Sequence, residues 1–119
     1  MHIFRVMSRS LAALALCGGL AQAAEVGLKL PPGFHAEVVA DGLGPVRFIA
    51  IAPDGTLYAK SGGNGLIALR LRDGHVERIE RFGSGAGTGV AVRDGWLYYS
   101  SNTAVYRYRL RPGKPVPTS

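Results

Sequence analysis

Apolar positions along this chain come in short runs, broken every few residues by Gly, Pro or Asp-Gly, and no stretch beyond residue 24 carries a helical period. That pattern predicts many short strands. The runs fall at 34–40, 48–52, 57–60, 66–71, 76–81, 89–92, 96–100 and 104–110. Pro31-Pro32-Gly33 opens the first. Pro53-Asp54-Gly55-Thr56, Asp73-Gly74 and Arg93-Asp94-Gly95 supply turn residues between later ones, with glycine where a positive φ is needed. Within the last run, Tyr106, Tyr108 and Leu110 alternate with Arg107, Arg109 and Arg111, as Leu69 and Leu71 do with Arg70 and Arg72. Such arginine rows read either as an anion-binding face or as solvated outer-strand positions that discourage edge pairing, and the second reading is preferred.

Two of these stretches repeat. Ile51-Ala52-Pro53-Asp54-Gly55-Thr56-Leu57-Tyr58-Ala59 aligns with Ala91-Val92-Arg93-Asp94-Gly95-Trp96-Leu97-Tyr98-Tyr99, with Asp54 and Asp94 40 residues apart. The strands that follow, from Leu66 and from Val105, keep an offset of 39. A period near 40 residues with about four strands per repeat is the spacing of a β-propeller blade. The expected fold is therefore all-β: a partial propeller over 24–111, made of an opening strand at 34–40 and about two antiparallel four-stranded blades, followed by a Pro-rich tail at 112–119. Propellers close with about four to eight blades. Two blades leave outer faces open, so the expectation is a truncated propeller, or one whose open faces self-associate or take a partner.

The first 23 residues read differently. Arg5 and Arg9 form a basic start, residues 10–20 a short apolar run, and Ala21-Gln22-Ala23 a small-residue cleavage site. This is the layout of a secretory signal, a helix removed after Ala23, and the run is too short for a membrane span. Lipid attachment at Cys17 would need a small residue where Leu16 stands. Cleavage leaves 96 residues with 12 basic and 8 acidic groups and no cysteine. That composition suits an oxidising compartment, the bacterial periplasm being the simplest. It gives no reason to expect nucleic acid, and no later segment is apolar enough to span a membrane.

Candidate chemistry is sparse. The loop Gly83-Ser84-Gly85-Ala86-Gly87-Thr88-Gly89 matches neither the dinucleotide fingerprint nor a phosphate loop, and a strand follows it. Its expected role is a tight crossing between blades. His35, in the opening strand, and His75, beside a turn, are too few for a metal site. Asp54, Asp94, Asn64 and Asn102 read as turn and loop formers, and Trp96, Tyr98 and Tyr99 as blade packing. No catalytic triad can be assembled.

Residues 30–43 (Leu-Pro-Pro-Gly-Phe-His-Ala-Glu-Val-Val-Ala-Asp-Gly-Leu) resemble the opening of the glucose/sorbosone dehydrogenase family. Gly44-Pro45-Val46-Arg47, the stretch 53–58, Arg78-Ile79-Glu80-Arg81-Phe82-Gly83, Gly87-Thr88-Gly89-Val90-Ala91 and the stretch 94–101 continue the likeness. It spans the mature chain and about the first third of such a protein. The resemblance implies a periplasmic six-bladed propeller that oxidises sugars with pyrroloquinoline quinone and calcium. There a histidine serves as base, and Arg and Lys side chains hold the quinone's carboxylates, mostly from later blades. Two features depart from the family: Phe48 stands where relatives have histidine, and an Asp-rich insertion near Asp73-Gly74 is absent. No catalytic, cofactor-binding or metal-binding residue is carried over. The expectation is a dehydrogenase fragment inactive by itself, the alternative being a small exported β-repeat binding or assembly module without catalysis.

Overall fold

The computed structural model describes residues 28–63 and 65–117, so the signal segment and Asn64 lie outside the described residues. Residues 28–38 belong to one unit and the chain from Val39 onward to another. In the first, the Pro31 carbonyl accepts a bond from Phe34 N at 3.1 Å, closing the Pro-Pro-Gly turn. The strand expected at 34–40 is not formed: these residues are unladdered coil, with Phe34 and Val38 exposed. Alternating apolar residues alone do not hold an extended segment as a strand, which needs a paired neighbour to satisfy its amides.

The second unit is all-β, with no helix among the described residues. β1 (Val46–Ile51), β2 (Leu57–Ser61), β3 (Leu66–Arg72) and β4 (His75–Phe82) form one antiparallel sheet in chain order. β5 (Val90–Arg93), β6 (Trp96–Ser100) and β7 (Val105–Arg109) form a second, three-stranded one. Every strand expected between residues 48 and 110 is present. Asp73-Gly74 and Asp94-Gly95 have φ of 51° and 80°, and 50° and 76°. Two successive positive φ values define the two-residue hairpin whose twist matches the strands, and Asp-Gly is the dipeptide that tolerates it. Asp54-Gly55 makes a wider turn. Asp54 Oδ1 accepts from Thr56 N at 3.0 Å, and Ala52 and Thr56 close the loop with a 2.9 Å backbone bond.

The sheets meet face to face. Tyr58, Leu66 and Ala68 of the first pack on Leu97 and Tyr99 of the second, with Phe82, Val90, Val92 and Tyr108 around them. Aromatic rings line this seam: Tyr99 stacks on Tyr108 at 5.6 Å, and Phe82 bridges Tyr108 and Tyr58 at 5.9 and 6.2 Å. Aromatic pairs at such spacing add to the burial itself. On the far side of the first sheet, Ala59, Ile67 and Leu69 are buried beneath Ala40, Leu43 and Val46. Arg81 holds that cover by donating to the Leu43 carbonyl at 3.3 and 3.4 Å.

The Pro-rich tail is part of the packing. After β7 the chain turns at an Arg111–Lys114 bridge and runs onto the first sheet. Tyr58 Oη donates to the Pro115 carbonyl at 2.8 Å, Arg70 donates to the Gly113 carbonyl at 3.2 Å, and Pro115 and Pro117 are buried. Residues 110–117 thus do not return along β7, and among the described residues the second sheet has three strands where the repeat's blade has four.

Candidate functional site

Antiparallel order brings three loops to one end of the seam: 62–65 after β2, 83–89 between the sheets, and 101–104 after β6. The crossing needs glycine where it touches the second sheet. Gly87 has φ of 149°, and a Cβ there would overlap the Ser100 carbonyl. Gly89 N donates to Ser100 Oγ at 3.0 Å and Ser100 N to the Gly89 carbonyl at 3.0 Å, so the loop is stitched to β6. The tight crossing expected from the glycine run is present.

A lysine lies at the centre of this end. Alternation along β2 puts Lys60 on the same face as Tyr58, inside the seam, and its exposure is 0%. Its ammonium donates to the carbonyls of Gly85 at 2.8 Å, Gly65 at 3.0 Å and Ser61 at 3.3 Å. It also lies 5.9 Å from the Tyr99 ring centre. Burial lowers its pKa from the ordinary lysine value. An ammonium has three N–H groups, and all three are used here. Lys60 therefore ties the 62–65 loop to the crossing and has no donor left for a ligand. Burial, with its Tyr108 neighbour second, pushes the Tyr99 hydroxyl up to about 12.

The residues singled out from sequence are scattered. His75 is exposed at the opposite end, beside the Asp73-Gly74 turn, and His35 is exposed in the first unit. Asp54 and Asp94 occupy separate turns, and Asn102 is exposed in the 101–104 loop. Tyr99 packs in the seam as expected. Trp96 and Tyr98 instead lie half-buried on the outer face of the second sheet, where Arg107 and Arg109 cover the Trp96 ring at 4.5 and 5.1 Å. Of the first sheet's arginines, Arg72 pairs with Glu77 at 3.5 Å and Arg78 with Glu80 at 2.8 Å; Arg72, Glu77 and Arg78 line a shallow groove with Asp54 and Arg70. Exposed pairs of this kind contribute little stability. A second cleft, of about 140 Å³, opens between Tyr58, Leu110 and Pro112 at the turn end of the seam.

Lys60 was not among the candidates. Its signal was available in the alternation Tyr58-Ala59-Lys60, which places a cation on an apolar face.

A bound quinone tricarboxylate needs several free cationic donors, and calcium a cluster of oxygen ligands. At the loop end Lys60 is saturated, Arg81 is committed to Leu43, and Arg47 lies exposed beside Gly62. Among the described residues no three His, Cys, Asp or Glu side chains group to hold a metal. These residues do not fit the cofactor pair. Comparison with protein families, curated proteins and solved structures found no match to this chain.

Proposed function

We propose that this chain forms the first two blades of an exported, periplasmic propeller of the glucose/sorbosone dehydrogenase type, and serves there as scaffold, not as the source of catalytic groups. The observation that carries the reading is the packing of the 40-residue repeat. Its two copies become two antiparallel sheets stacked face to face, with the first strands β1 and β5 side by side and a glycine crossing between. That is how successive propeller blades are arranged around an axis. The substrate class this reading implies is a sugar or related polyol, oxidised by pyrroloquinoline quinone with calcium on groups other than those described here.

The purified chain, given the quinone, calcium and an electron-accepting dye, is expected to show no oxidation of glucose or sorbosone. Measurable turnover would overturn the scaffold role. Coding sequence following the Ser119 codon separates the family reading from its rival: further blades support it, unrelated sequence favours an assembly module. That rival rests on one observation: among the described residues, nothing pairs with the outer edge of the second sheet.

A further inference from the structure

In the first sheet, β3 is flanked by β4; in the second, the equivalent strand β7 has no outer neighbour among the described residues. Residues 110–117, which follow it, are bound to the first sheet through Tyr58 and Arg70. No described residue pairs with the outer backbone groups of β7. An edge of this kind is a template for another strand, and its side chains select which one.

The side chains of β7 are sorted by face. Tyr106 and Tyr108 continue the seam aromatics, stacking on Tyr99 at 5.1 and 5.6 Å. Arg107 and Arg109 lie on the other face, both over Trp96. Their guanidinium groups are held on that ring and carry no carboxylate partner among the described residues. The repeat also gives the register. At the offset of 39, Arg107 corresponds to Ala68 and Tyr108 to Leu69, and β4 sets Glu80 opposite Ala68 and Ile79 opposite Leu69.

We propose that the β7 edge binds an extended segment of another polypeptide, antiparallel, with alternating acidic and apolar side chains. Acidic groups would stand directly across from Arg107 and Arg109, where opposite charges stabilise and like charges destabilise a cross-strand pair. Apolar groups would extend the Tyr106–Tyr108 row over the seam. Two β7 strands centred on Arg107 place arginine against arginine. The β4 edge of a second copy, in the register of β3 with β4, sets Glu80 opposite Arg107 but Arg78 opposite Arg109, so only half of its charges match. An alternating acidic segment matches both arginines.

The probe is an eight-residue peptide of alternating Glu and Val, compared with alternating Lys and Val and with a Glu/Val peptide in block order. Binding to the full chain is followed by calorimetry, and hydrogen exchange of the β7 amides is read alongside. The alternating acidic peptide should bind at least about ten-fold tighter than either control and slow exchange at residues 105–109. The exposed substitution Arg107→Glu should reverse the preference towards the lysine peptide. Absent binding, equal binding of acidic and basic peptides, or protection away from β7 would overturn the proposal. So would concentration-dependent self-association that protects β7 without peptide.

Discussion

The two sheets carry the same Asp-Gly-x-Leu-Tyr element and bury opposite halves of it. In the first sheet Tyr58 is inside the seam, 1% exposed, while Leu57 lies half-buried on the far face. In the second, Leu97 fills the seam at 0% exposure, and Tyr98 points out. Both sheets place leucine on one face and tyrosine on the other. Because the sheets stack in the same sense, the tyrosine face of one meets the leucine face of the next. A residue's burial is therefore decided by which neighbour its sheet has, and identical local sequence gives a core residue in one copy and a half-exposed one in the other.

Their coverage differs too. The first sheet is packed on both faces, by the second sheet and by Ala40, Leu43 and Val46; among the described residues, the second is packed on the seam face only. This asymmetry can be tested at matched leucines. Leu97→Ala, at the seam between two sheets, should lose about 4 kcal/mol in urea unfolding, and Leu69→Ala, beneath a short coil that can settle into the gap, about 2 kcal/mol. Equal losses would mean that the seam and the flank are equally rigid.

A second contrast concerns Lys60, whose repeat equivalent is Ser100. Lys60→Ala should lose about 2–3 kcal/mol, because it opens a cavity beside polar groups. Lys60→Met should lose about 1 kcal/mol or less. It keeps the volume and removes a buried charge, and the Gly65 and Gly85 carbonyls retain backbone donors from Ser61 and Gly65. A methionine variant as unstable as the alanine one would show that charge, not volume, holds the loops.

The smallest effect at neutral pH belongs to the tail. Tyr58→Phe removes the bond to Pro115 and should lose about 1 kcal/mol. Its pH dependence is more telling. Burial first, and the Asp54 charge second, push the Tyr58 hydroxyl up to about 12 from an ordinary value near 10. The folded chain then holds this proton more tightly than the unfolded one, so the contribution is complete below pH 10 and lost as pH rises towards 12. Lys60 has the opposite sign: its lowered pKa makes the folded chain release a proton earlier, which favours folding as pH approaches the ordinary lysine value. Unfolding midpoints measured from pH 7 to 12 should fall above pH 10 in the parent. They should fall less in Tyr58→Phe, with Tyr99 supplying the remainder. An unchanged slope would remove Tyr58 from the alkaline transition.

How much could be read beforehand follows from where each signal resides. Seven strands were legible because turn chemistry and alternation are local: Asp73-Gly74 and Asp94-Gly95 can hardly form anything but tight hairpins, and the residues between them have the period of a strand. The 34–40 segment has a similar pattern and no ladder, since pairing is a property of two segments. The Pro-rich tail read as a segment following the blades, yet two of its prolines are buried, and Tyr58 and Arg70 reach its carbonyls. Lys60 passed as one cation among fourteen basic residues until the fold closed three carbonyls around it.

By itself, then, the sequence determined the strands between residues 46 and 109, their turns, the 40-residue repeat and the glycine crossing, all set by steric and periodic rules acting within a few residues. The tertiary structure alone decided which face of each sheet is core, that the lysine is sealed, that the tail closes on the first sheet, and that no described strand pairs with the outer edge of β7. Each of these depends on surfaces brought together from far apart in the chain, and short-range periodicity does not encode them.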